Sequence, residues 1–290
     1  MPLTRREFIE NAALAAAGML LATKAGRGDA PAAQSGDPLR VAMCDWNLGK
    51  TGQVGAMEVA HTVGLDGVEV SILFPGPGQH LRDPKLQREY QAAAKRHGVS
   101  IPSVALGILN EVPLASEPKA AIWLCDAIEV AHSLGAKVIL LAFFGRGELK
   151  MADERQIGRV VDVLRETAPR AEKAGVILGL ENTLSAEENI LILQRAGSAA
   201  VQVYYDLKNS ADNGRDVPRE IRLLGEHICQ VHVKNGDRPL SQPANVDFPA
   251  CAQALRETGY KGWFVLETSS PKDLVSDTRA NIAYLRKTFA

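Results

Sequence analysis

The chain has 290 residues, 46% of them hydrophobic and 23% charged, with a formal net charge of -1 at pH 7. That length holds one large domain or two small ones, and the apolar content is ordinary for a globular core. The near-zero charge and 5% aromatic content argue against a partner held by bulk electrostatics or base stacking, so neither nucleic acid nor an anionic membrane surface is expected.

Residues 1–36 do not look like fold. Thr4-Arg5-Arg6-Glu7-Phe8-Ile9 precedes an alanine-rich apolar run from Ala12 to Ala22. Twin arginines followed by a short hydrophobic segment resemble a bacterial twin-arginine (Tat) export signal. The run is too short for a permanent bilayer span, which needs about 20 residues. A Pro/Gly/Ala-rich linker follows, with cleavage expected between Ala22 and Ala33 and no cysteine for a lipid anchor. The expected partner is the Tat machinery and the expected address is periplasmic or otherwise exported, soluble after cleavage. Such substrates cross folded, so a metal could be loaded before export.

From residue 37 to 290 strand and helix patterns alternate. The expected strands are Leu39–Cys44, Gly67–Val70, Ile101–Leu106, Ala136–Phe144, Val176–Glu181, Val201–Tyr205, Ile228–Val231 and Trp263–Leu266. The expected helices are Val54–Val63, Pro84–His97, Pro118–Leu134, Glu154–Ala174, Ala186–Arg195, Val217–Leu224, Phe248–Thr258 and Asp273–Thr288. Gly64, Gly98, Gly135 and Gly175 mark helix ends. Strict alternation predicts a single (β/α)8 barrel of the α/β class, an architecture of about 250 residues. An open doubly wound sheet would want a GxGxxG loop after the first strand, and Cys44–Thr51 has none. The four cysteines (Cys44, Cys125, Cys229, Cys251) form no CxxC pair. Cys44 and Cys229 fall on strands, where small buried thiols are expected.

The last four strands each run into a chemically active residue: Glu181, Asp206, His232 and Glu267. Barrel sites form at the C-terminal ends of the strands. Buried carboxylates need a cation or a proton. Three carboxylates and one imidazole make a hard donor set for one divalent metal, with Mn²⁺, Mg²⁺ or Co²⁺ suited and Zn²⁺ an alternative. Lys234 lies two residues past His232, to hold a substrate oxygen or pair with a carboxylate. Trp46 and Asn47 follow the first strand and either wall a sugar or pack the barrel. Glu69 sits within the second strand, as a substrate contact or a structural ion pair. Phe143 and Phe144 either shape the pocket or pack. His80 lies at a Pro/Gly loop, Phe74–His80, while His61, His97, His132 and His227 suit helix ends.

The motifs LGLEN, YYDLKN, VHVKN and FVLET resemble the four ligand motifs of the sugar phosphate isomerase/epimerase family. These are xylose isomerase-like barrels that include D-tagatose 3-epimerase, hydroxypyruvate isomerase and inosose dehydratase. The likeness covers 39–290. It implies one divalent metal, often manganese, on Glu181, Asp206, His232 and Glu267, with Glu181 and Glu267 also moving protons on the two faces of a bound ketose. It further implies that Arg238 binds a substrate oxygen and that Glu187 supports the site. Members often pair through exposed helices or loops. The family's epimerases carry a histidine three residues past the aspartate ligand, and here that residue is Asn209.

Proton abstraction beside a carbonyl forms an enediolate, whose charge a metal stabilises as a Lewis acid while a carboxylate serves as base. The expected function is therefore a metal-dependent isomerase or epimerase on a free sugar. The alternatives are a lyase or dehydratase on a keto-sugar or keto-glycoside, a non-catalytic sugar-binding barrel, and an endonuclease-like phosphodiesterase. The last would need more mouth-facing histidines than His232 alone.

Overall fold

Eight parallel strands close a barrel in sequence order in the computed structural model: β1 Val41–Cys44, β2 Gly67–Ser71, β3 Ser103–Leu106, β4 Val138–Ala142, β5 Ile177–Glu181, β6 Val201–Asp206, β7 Ile228–Val233 and β8 Phe264–Leu266. The structure describes residues 39–73 and 80–290. The expected export signal and residues 74–79 of the loop after β2 lie outside the described residues.

The helices are α1 Ala56–Val63, α2 Pro84–His97, α3 Pro118–Leu134, α4 Glu154–Ala174, α5 Ala186–Ala196, α6 Leu207–Asp212, α7 Val217–Leu224, α8 Phe248–Glu257 and α9 Leu274–Phe289. Their starts follow local chemistry. Asp83 caps α2 ahead of Pro84, and Ser185 with Glu188 forms a reciprocal capping box at α5. The expected stops at Gly64 and Gly175 hold, each with φ in the left-handed region. None of the described helices is long and apolar enough to cross a membrane.

Side-chain alternation along each strand separates two cores. Outward residues such as Met43, Val68, Ile139, Leu178 and Val231 pack under the helices. Inward residues Ala42, Cys44, Ala105, Leu140, Tyr204 and Val265 fill the barrel. That interior is not uniformly apolar. Glu69, Ser103, Gln230 and His232 point into it and are buried.

Most strand and helix bounds shift by one or two residues from expectation. β4 is shorter than Ala136–Phe144 at both ends; the Phe143 amide still donates to Glu181 O along the ladder, and the Phe144 amide leaves it for Asn110 Oδ1. An additional short helix, α6, starts directly at Asp206, whose carboxylate accepts from the Asn209 amide at 2.7 Å. The aspartate that ends β6 is thus also a helix cap.

Candidate metal and sugar site

Register sets the site. β6 and β7 pair Val203 with Ile228, then Tyr204 with Gln230, so β7 contains one extra residue. The shift brings Asp206 opposite His232. Paired residues share a face, so both side chains enter the barrel. Cys229 is the extra residue, its Sγ donating to Val203 O at 3.3 Å. A Cβ on Gly179 would lie 2.9 Å from that sulfur, so only glycine on β5 leaves room for it.

Glu181, Asp206, His232 and Glu267 each offer one ligand atom, all within 4.8 Å of one another. A cation with bonds of about 2.0–2.6 Å spans such a group. Glu181, Asp206 and His232 are buried. His232 Nδ1 lies 3.0 Å from Glu181 Oε1, 3.6 Å from Glu267 Oε2 and 3.9 Å from Asp206 Oδ2. Asp206 Oδ2 is buried without a well-formed hydrogen bond, although Lys234 Nζ approaches to 2.9 Å. An acceptor left short of donors amid two other carboxylates is what a cation site requires, and the donor set fits a hard divalent ion.

The electrostatics divide the two glutamates. Burial pushes Glu181 up to about 7, against the opposing pull of His232. Burial also raises Glu267, but His232 and Lys234 offset it and leave that carboxyl below its ordinary range. Lys234 Nζ donates to Glu267 Oε2 at 2.6 Å, and after the penalty of burial its charge is favoured by Asp206 and Glu267. Of the two roles open to Lys234, the carboxylate pair is formed.

Beneath this layer Glu69 is fully buried, and it is not in the cavity lining. Of the two roles open to Glu69, the internal pair is formed, with His232, and the substrate contact is not. Glu69 Oε2 accepts from Tyr204 Oη at 2.8 Å and Ser103 Oγ at 2.7 Å. Its Oε1 lies 3.1 Å from His232 Nε2, with Cys44 Sγ donating from 3.6 Å. Gln230 Nε2 donates to both Ser103 Oγ and Tyr204 Oη, completing the network. With the imidazole proton on Nε2 facing Glu69, the Nδ1 lone pair faces the carboxylates above. Reading whole strands as apolar missed Ser103, Tyr204 and Gln230. Their signal was positional, since Tyr204 and Gln230 stand two residues before Asp206 and His232 and share their face.

A cavity of about 730 Å³ opens at this end of the barrel. Glu181, Glu267, Lys234, Asn209 and Trp46 line it, as does Phe144, whereas Phe143 is buried in the outer core. Asp206 and His232 do not reach the lining. Neither of two further expected residues does. Arg238 is exposed in the loop after β7, and Glu187 lies exposed in the first turn of α5, 2.7 Å from Arg219. The family resemblance placed them at the site, but the Glu187 side chain pairs with Arg219 in place of lining the cavity. At that level the buried acid is Glu220, which accepts from Tyr205 Oη and the Ala186 amide.

The family model for xylose isomerase-like TIM barrels matches residues 57–288. The chain belongs to that family. Among curated relatives, a 2-epi-5-epi-valiolone 7-phosphate 2-epimerase from an Actinoplanes species is 27% identical over 68% of this chain and 73% of its own. An L-ribulose-5-phosphate 3-epimerase from Escherichia coli is 27% identical over 79% and 86%. A D-psicose 3-epimerase from Clostridium cellulolyticum superposes with a TM-score of 0.72 at 18% identity, covering 87% of this chain and 99% of that one. A 3-keto-D-glucoside 4-epimerase from Escherichia coli gives 0.69 at 16%, covering 86% and 99%. At these identities the structural likenesses carry the fold of the xylose isomerase-like barrels and no more.

Proposed function

We propose that this protein is a divalent-metal-dependent sugar epimerase or isomerase. One observation carries the reading: of the four clustered ligands, only Glu181 and Glu267 also face the cavity. Asp206 and His232 then serve as buried ligands, while the two glutamates touch both the cation and whatever enters. The curated relatives are named as sugar-phosphate epimerases, which supports the reaction class.

A divalent cation, manganese in our reading, supplies Lewis-acid stabilisation of negative charge on the substrate's oxygens. Glu267, held ionised by Lys234, removes the proton beside the carbonyl. Glu181, the second ligand carboxylate that faces the cavity, returns one. Return to the opposite face gives an epimer, and return to the neighbouring carbon gives an isomer. Trp46 closes one wall, and Asn209 offers an amide where the family's 3-epimerases carry a histidine. Glu69 holds His232 from below.

The test is solvent-deuterium uptake by a panel of ketoses in the presence of Mn²⁺. Incorporation at the carbon beside the carbonyl supports the assignment, and a complete absence across the panel, with metal shown to be bound, ends it. The same carboxylates also suit expulsion of a β leaving group, for which the cavity of about 730 Å³ has room; loss of water or of an aglycone in product analysis would select that lyase reading. We also propose export through the Tat system on the strength of Arg5 and Arg6. Replacing both by lysine should retain the protein in the cytoplasm, and unchanged export would remove the proposal.

A further inference from the structure

The cavity is two-sided. Strands β5–β8 bring the carboxylates, Lys234 and Asn209, whereas β2–β4 and the turns after them bring Ile72, Leu73, Ile108, Leu140 and Phe144. In a closed barrel these halves face each other across the mouth. A sugar that presents its carbonyl and neighbouring hydroxyl to the carboxylate side therefore turns its far end toward a hydrocarbon wall.

That wall is built in advance. The turns after β3 and β4 are locked together: the Phe144 amide donates to Asn110 Oδ1 at 2.8 Å, and a Cβ on Gly147 would come within 2.1 Å of the Leu109 carbonyl oxygen. Only glycine allows backbones so close. Leu73 is seated on Gly52, where a Cβ would lie 2.5 Å from Leu73 Cδ1. Leu73 nevertheless remains 43% exposed, and Ile108 and Phe144 are half-buried. Apolar side chains held rigid and left wet in a cleft have the character of a ligand surface.

The charges define what that ligand is not. Among the described residues lining the cavity the only cation is Lys234, and it is already engaged by Glu267 and Asp206. Glu111 stands exposed on the apolar side and repels anions. A phosphoryl group needs an arginine, a lysine or converging amides. The Ser71 hydroxyl is no substitute, since its Oγ already donates to Asp45. The volume, about 730 Å³, lies within the roughly 300–1,000 Å³ used by drug-sized ligands and leaves room beyond a single sugar ring.

We infer that the wall of Leu73, Ile108 and Phe144 is an aglycone subsite, and that the substrate is an uncharged keto-glycoside bearing an aryl or similarly apolar substituent rather than a phosphorylated sugar. This rests on the proposed function for its sugar end and adds the chemical class of the other end. It separates this chain from relatives whose names specify phosphorylated substrates.

The experiment uses the full chain loaded with Mn²⁺ and titrated calorimetrically with three probes that lack a reactive ketone: methyl β-glucoside, phenyl β-glucoside and glucose 6-phosphate. Phenyl β-glucoside is expected to bind about tenfold or more tightly than the methyl glycoside, from apolar surface removed from water. Phe144→Ala and Leu73→Ser should each reduce that ratio toward one while leaving methyl glucoside affinity within about twofold. Leu73 lies outside the buried core and is 43% exposed, so its variant tests the wall even if Phe144→Ala fails to fold. Equal affinity for the two glycosides, no binding by either, or tighter binding of glucose 6-phosphate would overturn the inference. Deuterium uptake without a phenyl preference sinks the subsite and spares the reaction class; a phenyl preference without uptake from any ketose does the reverse.

Discussion

Glu69 Oε1 lies 3.1 Å from Nε2 of His232, with both side chains fully buried. A carboxylate on the far nitrogen of a ligating imidazole fixes its tautomer and its ring orientation. Tyr204 packs against the same ring, with centroids 4.5 Å apart. Glu69→Gln preserves the shape but removes the charge that keeps the proton on Nε2. Metal affinity is expected to fall about 10–100-fold with the fold retained, read by competitive titration against a fluorescent chelator and by thermal melting of the metal-free chain. Undiminished affinity would reduce Glu69 to a packing residue.

Glu181 both borders the cavity and belongs to the ligand group. Glu181→Gln should lower deuterium exchange by about 10²-fold or more, since an amide can neither accept nor return the proton. Circular dichroism should stay native, because the residue closes no strand pairing by its side chain. Exchange at the normal rate in a variant shown to be folded and metal-loaded would take Glu181 out of the chemistry.

Asp206 has two duties, and they can be separated. Asp206→Asn keeps a side-chain oxygen for the Asn209 amide, so the α6 cap survives, but it removes a ligand charge. Asp206→Ala loses both and should cost about 1 kcal/mol more in the metal-free protein. Metal content by mass spectrometry should fall in both variants. Full stoichiometry in either would count against ligation by this residue.

Asp45, just past β1, ties the first loop to β2: its carboxylate accepts from the Gly52 and Ser71 amides at 2.9 Å and from Ser71 Oγ at 2.5 Å. Burial still raises it from 3.8 to about 6, the hydrogen bonds only partly opposing this. An unfolded aspartate titrates near 3.9. Between about pH 4 and 6 the folded chain therefore holds this proton more often than the unfolded chain. The stability Asp45 contributes declines as pH rises through that window and is constant above it. In the difference between wild type and Asp45→Asn, denaturation free energies should show this slope, on the order of 1–3 kcal/mol in total. Parallel curves would mean that Ser71 and Gly52 keep the carboxylate ionised.

Much of this molecule is legible in one dimension. Alternation of apolar runs with glycine-stopped helices specified the barrel, because parallel strands joined by helical crossovers close most simply that way. The positions of Glu181, Asp206, His232 and Glu267 at successive strand ends were likewise visible, since a carboxylate has no reason to end a buried strand without a partner. The tertiary structure decided the rest. The extra residue at Cys229 turns Asp206 and His232 onto one face, and nothing in a run of apolar letters announces a one-residue shift. Strand-by-strand hydropathy also cannot tell inward from outward, so the buried layer of Glu69, Ser103, Tyr204 and Gln230 emerged only when four strands converged. Only the family resemblance placed Arg238 and Glu187 at the site; packing of the loop after β7 and of the first turn of α5 decides where they go, and both stand exposed. The division of the cavity into a charged half and a hydrocarbon half is likewise a property of closure, which sets residues about a hundred positions apart across one opening.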